Sequence, residues 1–349
     1  MITPTSRTKE WILAKKAENP GSDPILIEKM IMALFLLENL QISGLDFIFK
    51  GGTSLPLLIG QQHRFSIDID IILPKAENLN DHFREIINND IFSGVEENVR
   101  AGQLPKSHHK FFYQSSIHHR KDYVLLDILF ETNPYPIIQP INLQSPLIQS
   151  EGTPTKIICP SKEGLLGDKL TAFAPNTTGI PYGINKELEI VKQLFDIAIL
   201  FDVNEDLLIT KNALLKIASQ ELIYRAKTHL SPDDVLIDTL LTSFMIGMKG
   251  SNANLEYSEI LSGVKKMSSY VFNQFFSIDS AILCASKAAY LSSLLLTNKK
   301  NFKTYDKKYD ISNWFIEKFN FNKLNKLKKT NPEAFYYFFK ALETYNPSA

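Results

Sequence analysis

Apolar and polar positions alternate with a period of two in a few short stretches of this chain and with a helical period in many more. The clearest strand signal is "SIDIDIIL" (66–73). There Ser66, Asp68, Asp70 and Ile72 point one way, and Ile67, Ile69, Ile71 and Leu73 the other. "LDFIFK" (45–50) reads as a short apolar strand broken by Gly51 and Gly52, after which "TSLPLLIG" fits a short helix closed by Gly60. "GVEENVRAG", "HKFFYQSSI" and "DYVLLDILFE" (94–131) form a β-rich stretch, close enough in sequence to pair antiparallel. "NPYPIIQPINLQSPLI" (133–148) is interrupted by prolines and reads as an edge strand or extended loop.

Helical patterns cover 5–18, the run that opens with Asp23 as N-cap and Pro24 at the first helical position, and "AENLNDHFREIINNDIF" (76–92). Beyond about residue 160 the helical period persists, with helices expected at 161–174, 186–202, 211–228, 232–248, 256–271, 277–297 and 332–344. There is no internal repeat and no low-complexity linker. The pattern predicts an α/β protein: a mixed sheet with helices over residues 1–158, then a helical domain over 159–349.

Composition narrows this little. The 349 residues are 44% hydrophobic and 22% charged, with formal net charge zero, so any nucleic-acid binding must come from a local patch. Cys159 and Cys284 are far apart and read as reduced, buried thiols. The N-terminal "MITPTSRTKEWILAKK" has no apolar core behind its charges, and no run of about 18 apolar residues stands out. A cytoplasmic protein without membrane attachment is expected.

The strand 66–73 poses the chemical question. A carboxylate buried among isoleucines costs several kcal/mol unless it is paired, hydrogen-bonded or bound to a metal. Asp68 and Asp70 lie on one face of the expected strand, about 7 Å apart, a spacing at which two carboxylates can share divalent cations. Asp127, set among Leu125, Leu126, Ile128 and Leu129, offers a third acid if its strand pairs beside 66–73. Three converging acids would make a two-metal phosphoryl-transfer site. The turn Gly51-Gly52-Thr53-Ser54 supplies a complement, since glycines let backbone N–H groups approach an anion and the two hydroxyls can add donors. Taken singly, a Gly-Gly turn merely ends a strand and an Asp-x-Asp decorates a loop; together with Asp127 they describe a site.

The combination Gly51-Gly52-Thr53, Arg64-Phe65-Ser66 and Asp68-Ile69-Asp70 resembles the opening signature of the AbiEii/AbiGii-type toxins, nucleotidyltransferases of the DNA polymerase β-like superfamily found in bacterial toxin–antitoxin and abortive-infection systems. The resemblance spans roughly residues 30–205. It implies a polymerase-β-like core followed by a helical domain, with the active site in the cleft between them. "EGLLGDKLTAFAP" supplies the family's helix lysine, Lys169, implied to contact the nucleoside triphosphate. "KELEIVKQLFDIAIL" supplies Lys192 and Asp196, with Asp196 implied to lie in or near the active site. Where the family often has a basic residue followed directly by an acid, this chain has Lys192-Gln193. The implied assignments are Asp68, Asp70 and Asp127 for magnesium or manganese, Gly51, Gly52, Thr53, Ser54, Arg64 and Ser66 for the triphosphate, and Lys169 for its charge. The implied reaction transfers a nucleoside monophosphate from an NTP to an acceptor, with the tRNA 3′ end first among acceptors, and the implied partner is a cognate antitoxin.

Rival readings are a nucleotidyltransferase acting on a protein or small molecule, a nucleotide-binding module without turnover, and a metal-dependent phosphodiesterase, which would not need the glycine turn. Two further features are weighed. His108, His109, His118 and His119 could bind zinc across a hairpin, but no local cysteine or acid completes a tetrahedral set, and strand-end histidines are the plainer reading. The segment from Lys299 to Lys340 is basic with interleaved aromatics, a composition suited to nucleic acid and equally to a solvated helical face over an aromatic core.

Overall fold

A computed structural model describes residues 1–74, 78–98, 105–250 and 254–345. The chain divides into two compact units: Met1–Ser161 with Ser269–Gln274, and Lys162–Ser268 with Phe275–Ala349.

The first unit opens with a 3-10 turn at Pro4–Arg7, then α1 (Lys9–Glu18), α2 (Pro24–Ile42), β1 (Ile48–Lys50), α3 (Leu55–Ile59), β2 (Ile69–Leu73), α4 (Asn80–Asn88), β3 (Gly94–Glu97), β4 (Lys106–Gln114), β5 (Lys121–Phe130), β6 (Ile138–Asn142) and β7 (Lys156–Pro160). Five strands form one sheet in the order β1-β2-β5-β4-β3. β2 and β5 run parallel, and the other neighbours are antiparallel. β6 and β7 form a separate antiparallel pair.

The Asp23 side chain caps α2 by accepting from the Ile25 N–H at 2.8 Å. The helix is buried along most of its length, which explains why its apolar residues run around rather than along one face. Its two buried acids are satisfied: Glu28 accepts from Ser115 Oγ and the Ser116 N–H, both at 2.6 Å, and Glu38 from the Ile2 N–H and Thr155 Oγ1. Ile69, Ile71, Leu126, Ile128, Phe111 and Tyr113 make the buried face of the sheet. Phe83 of α4 meets Phe111 edge-on there, at 5.1 Å.

The second unit is helical: α5 (Lys162–Ala172), α6 (Glu187–Asp202), α7 (Leu207–Tyr224), α8 (Pro232–Gly247), α9 (Leu255–Met267), α10 (Ile278–Leu296), a 3-10 stretch Phe319–Lys326, α11 (Leu327–Thr330) and α12 (Pro332–Thr344). Helix α10 packs against α6, α8 and α12. By length and composition alone it could cross a membrane, which the sequence reading did not register, but 78% of it is buried by its neighbours, as in a core helix.

Several expectations shift. The strand expected at 66–73 begins at Ile69, because residues 64–68 are held otherwise. The Asp68 carbonyl accepts from the Thr53 hydroxyl at 2.6 Å, and the Phe65 N–H donates to the Tyr270 carbonyl at 2.7 Å. The helix expected to reach residue 271 ends at Met267, since Tyr270 and Phe272 pair instead with residues 63–65. β4 starts at Lys106 and so takes His108 into the ladder. The proline-rich stretch contributes β6, whose partner β7 was not anticipated. The expected helix at 5–18 divides at Thr8, which caps α1. The first residues of the helix at 76–92 and the last of the strand at 94–102 lie outside the described residues.

Candidate active site

Strand register assembles a row of ionisable side chains across the open face of the sheet. Lys50 is the cross-strand partner of Asp70, Asp70 of Asp127, and Asp127 of His108. Directly paired residues share a face, so the four side chains stand in line, with neighbouring backbones about 5 Å apart. The residues before and after Asp70 and Asp127 point into the apolar layer: Ile69, Ile71, Leu126 and Ile128 are all buried. This answers why aspartates interrupt the isoleucines. They face the side of the sheet that does not build the core.

His108 Nδ1 lies 2.6 Å from Asp127 Oδ1. The carboxylate accepts, so the imidazole carries its proton on Nδ1. The neighbouring His109 points to the other face, where Phe83 meets its ring edge-on at 4.9 Å. Burial pushes its pKa below the ordinary value, against the opposing pull of Glu97. His118 instead pairs with Asp122. His108 and His109 thus face opposite sides of the sheet and His118 is engaged by Asp122, so these histidines do not converge; among the described residues no three His, Cys, Asp or Glu side chains are gathered so as to hold a metal.

The glycine turn leans on the same row. Gly51 has φ of +80°, and a Cβ there would lie 2.1 Å from Asp70 Oδ2. A Cβ on Gly52 would lie 2.4 Å from an Arg64 guanidinium nitrogen and 2.7 Å from Ser66 Oγ. Glycine is required because the turn passes directly against the carboxylate and the guanidinium. Arg64 is buried, and its Nη1 donates to the Phe65 carbonyl at 2.8 Å. The expected phosphate hydroxyls are engaged locally: Thr53 donates to the Asp68 carbonyl, and Ser54 to the Gly51 carbonyl at 2.9 Å. Both side chains are buried and shape the turn.

Asp68 departs from the sequence expectation. It sits one residue before β2, exposed, and is fastened to the turn by its carbonyl. The three acids therefore do not close a cage; Asp70 and Asp127 stand side by side and Asp68 flanks them in the chain. A hard cation that takes one or two carboxylates, with phosphate oxygens and water for the rest, suits this donor set. The His108 bond is the kind of outer contact that orients a carboxylate ligand.

The second unit holds the other two residues the resemblance singled out. Lys169 on α5 and Asp196 on α6 form an ion pair of 2.9 Å, with side chains 7% and 0% exposed. Lys169 also donates to Gln193 Oε1 at 3.0 Å. The residue that stands where the family often has an acid thus accepts a hydrogen bond from the lysine without adding charge. Sequence reasoning missed this contact, and it missed His108 as the partner of Asp127. The second was traceable: His108 and Asp127 are equally far from the Gln114–Lys121 end of the hairpin.

The aromatic residues of the basic tail mostly pack on each other. Tyr305, Tyr309 and Trp314 lie against Tyr336 at 5.5–5.6 Å, while Phe315 and Phe319 stay exposed.

The row of acids and its glycine turn make the candidate active site. Residues 35–265 match the family described as nucleotidyl transferase AbiEii toxin, type IV toxin–antitoxin system, and the chain belongs to that family. Its fold is similar to that of JHP933 from Helicobacter pylori (15% identity, TM-score 0.47, covering 78% of this chain and 91% of that one). It is also similar to that of MenT4, a nucleotidyltransferase toxin from Mycobacterium tuberculosis H37Rv (10% identity, TM-score 0.46, covering 84% and 99%). A search of curated proteins finds no match. The chain is accordingly a nucleotidyltransferase of toxin–antitoxin type, with an NTP as substrate.

Proposed function

We propose that the protein transfers a nucleoside monophosphate from an NTP to the 3′ end of tRNA and releases pyrophosphate, with magnesium or manganese held at Asp70 and Asp127 and assisted by Asp68. The observation that supports this most is the pairing of Asp70 with Asp127 on the open sheet face beside Gly51.

In this reading the acceptor hydroxyl oxygen bonds to the α-phosphorus as the bond to the bridging α–β oxygen breaks, and pyrophosphate departs with that oxygen. Asp127, fixed by His108, orients the hydroxyl and takes its proton. The turn at Gly51–Ser54 offers its backbone to the triphosphate, with Arg64 and Ser66 beneath it. A bound divalent cation would supply charge neutralisation. Lys169 is assigned to triphosphate charge, and Asp196 holds it in its rotamer. The protein's contribution is positioning and electrostatic stabilisation. NTP and tRNA are cytoplasmic, and we propose that compartment, together with a cognate antitoxin as partner.

The test incubates purified protein with total tRNA, magnesium and each α-labelled NTP in turn. Label in tRNA, lost in Asp70→Ala, is the expected result. Label in protein or in a small-molecule fraction would replace the acceptor; RNA cleavage without added NTP would replace the chemistry. Expression alone should arrest bacterial growth, and Asp68→Ala should relieve the arrest.

A further inference from the structure

The same open sheet face carries a second feature beyond the acids. Two and four residues from His108 along β4 lie Lys110 and Phe112; two and four residues before Asp127 on β5 lie Leu125 and Tyr123. Lys110 pairs with Leu125, and Phe112 with Tyr123, with Lys121 ending the strip opposite Gln114. The rings of Phe112 and Tyr123 meet edge-on at 6.1 Å. Lys110 Nζ stands 4.9 Å from the Tyr123 ring centre, and Lys121 Nζ 3.7 Å from that of Phe112. Tyr123 is 39% exposed, although the strand's other face is sealed. One acid, Glu96, joins this face opposite Lys110; Asp122 alternates to the other side of β5, where Lys29 holds it, and the Lys29 ammonium also lies 5.2 Å from the Tyr123 ring centre.

We infer that this strip seats the single-stranded end of the acceptor RNA, with a base stacked on Tyr123 and its neighbouring phosphates on Lys110 and Lys121. The inference rests on the proposed RNA acceptor. Aromatic rings interleaved with cations on an exposed sheet are the combination that binds single strands without sequence readout. Lys110 and Lys29 now stand over the Tyr123 ring and Lys121 over that of Phe112; an arriving base displaces the Lys110 and Lys121 ammonium groups, which then meet the phosphates on either side. Geometry supports the register. Tyr123 lies four residues along β5 from Asp127, roughly 13 Å. A terminal hydroxyl at Asp127 therefore leaves the preceding nucleotides over the strip. A double-stranded end would not offer an unstacked base face to Tyr123.

Binding is tested apart from catalysis. Fluorescence anisotropy of a short 5′-labelled single-stranded RNA with a free 3′ hydroxyl is measured in magnesium without NTP, for wild type, Tyr123→Phe, Tyr123→Ala and Lys110→Gln/Lys121→Gln. Tyr123→Phe should bind as wild type, and Tyr123→Ala roughly ten-fold more weakly. The double lysine variant should lower the slope of log affinity against log salt by about 1.4. Thermal melts establish that each variant folds, and Tyr123→Phe controls for the hairpin. Equal binding by Tyr123→Ala and Tyr123→Phe, or an unchanged salt slope, overturns the inference. Wild-type transfer to tRNA with these variants unimpaired in binding would leave the acceptor assignment standing and remove only this seat; strip-dependent binding without transfer to RNA would do the reverse.

Discussion

His108 Nδ1 stands 2.6 Å from Asp127 Oδ1, and the strand register sets that aspartate directly beside Asp70. The histidine fixes the carboxylate's rotamer and leaves its second oxygen directed by the first. It is thus a positioning residue in the proposed reaction. His108→Ala should lower the transfer rate by about 10- to 100-fold, the usual cost of removing an outer partner of a ligand. His108→Asn, whose amide can donate in place of Nδ1–H, should recover most of it. Steady-state transfer with saturating NTP checks both. Equal activity of the alanine variant and wild type would remove the role.

The close approach of the glycine turn gives a graded expectation. Gly51→Ala puts a Cβ where Asp70 Oδ2 now lies and forces a left-handed backbone on an L-residue, at about 1–2 kcal/mol. It should also cost about 100-fold in rate, because in the proposed reaction the displaced Asp70 carboxylate holds the metal. Gly52→Ala has no positive φ to strain, so it crowds the buried Arg64 guanidinium and Ser66 Oγ without the backbone cost met at Gly51, and its effect should be smaller. Urea unfolding and transfer rates on the two variants test the order.

Asp122 is one source of acid-dependent stability. Burial opposes charge on Asp122, but the Lys29 ammonium at 2.7 Å, the Tyr123 N–H and His118 outweigh it, so its pKa lies below the ordinary value. A depressed carboxylate stabilises the fold above its unfolded pKa, near 3.9, and the contribution is lost as pH falls through the lower folded value. Lys29→Met should destabilise the protein by about 1–3 kcal/mol at pH 7, since it leaves a half-buried carboxylate short of its main partner. The gap from wild type should narrow on acidification toward pH 3. Urea unfolding across that range tests it; a gap independent of pH would assign the loss to packing.

Much of the site was legible because its parts are local in sequence. The Gly51–Ser54 turn, the Asp70 strand and the Asp127 strand each announce themselves by period or by glycine. What the sequence hid was pairing. Nothing local says that β2 runs parallel to β5, that Tyr270 and Phe272 leave a helical region to pair with residues 63–65, or that Thr53 takes the Asp68 carbonyl and so shortens the strand. Those are tertiary choices, and they moved Asp68 out of the ladder. Gln193 was visible only as a departure; its contact with Lys169 depends on how two helices pack.

The buried pair in the second unit separates structure from chemistry. Lys169 and Asp196 form a buried ion pair, so removing either alone takes the principal charge partner from a buried group. Lys169→Met or Asp196→Leu should each destabilise by about 3–5 kcal/mol, whereas the double variant, with well-packed apolar residues in both places, should recover much of that loss. If the lysine serves only the fold, the stable double variant will also recover transfer. If it serves the triphosphate, as we propose, the double variant will fold and remain inactive. Urea unfolding and nucleotide transfer on the same four proteins decide between them, because a stable, active double variant is incompatible with a chemical role for Lys169.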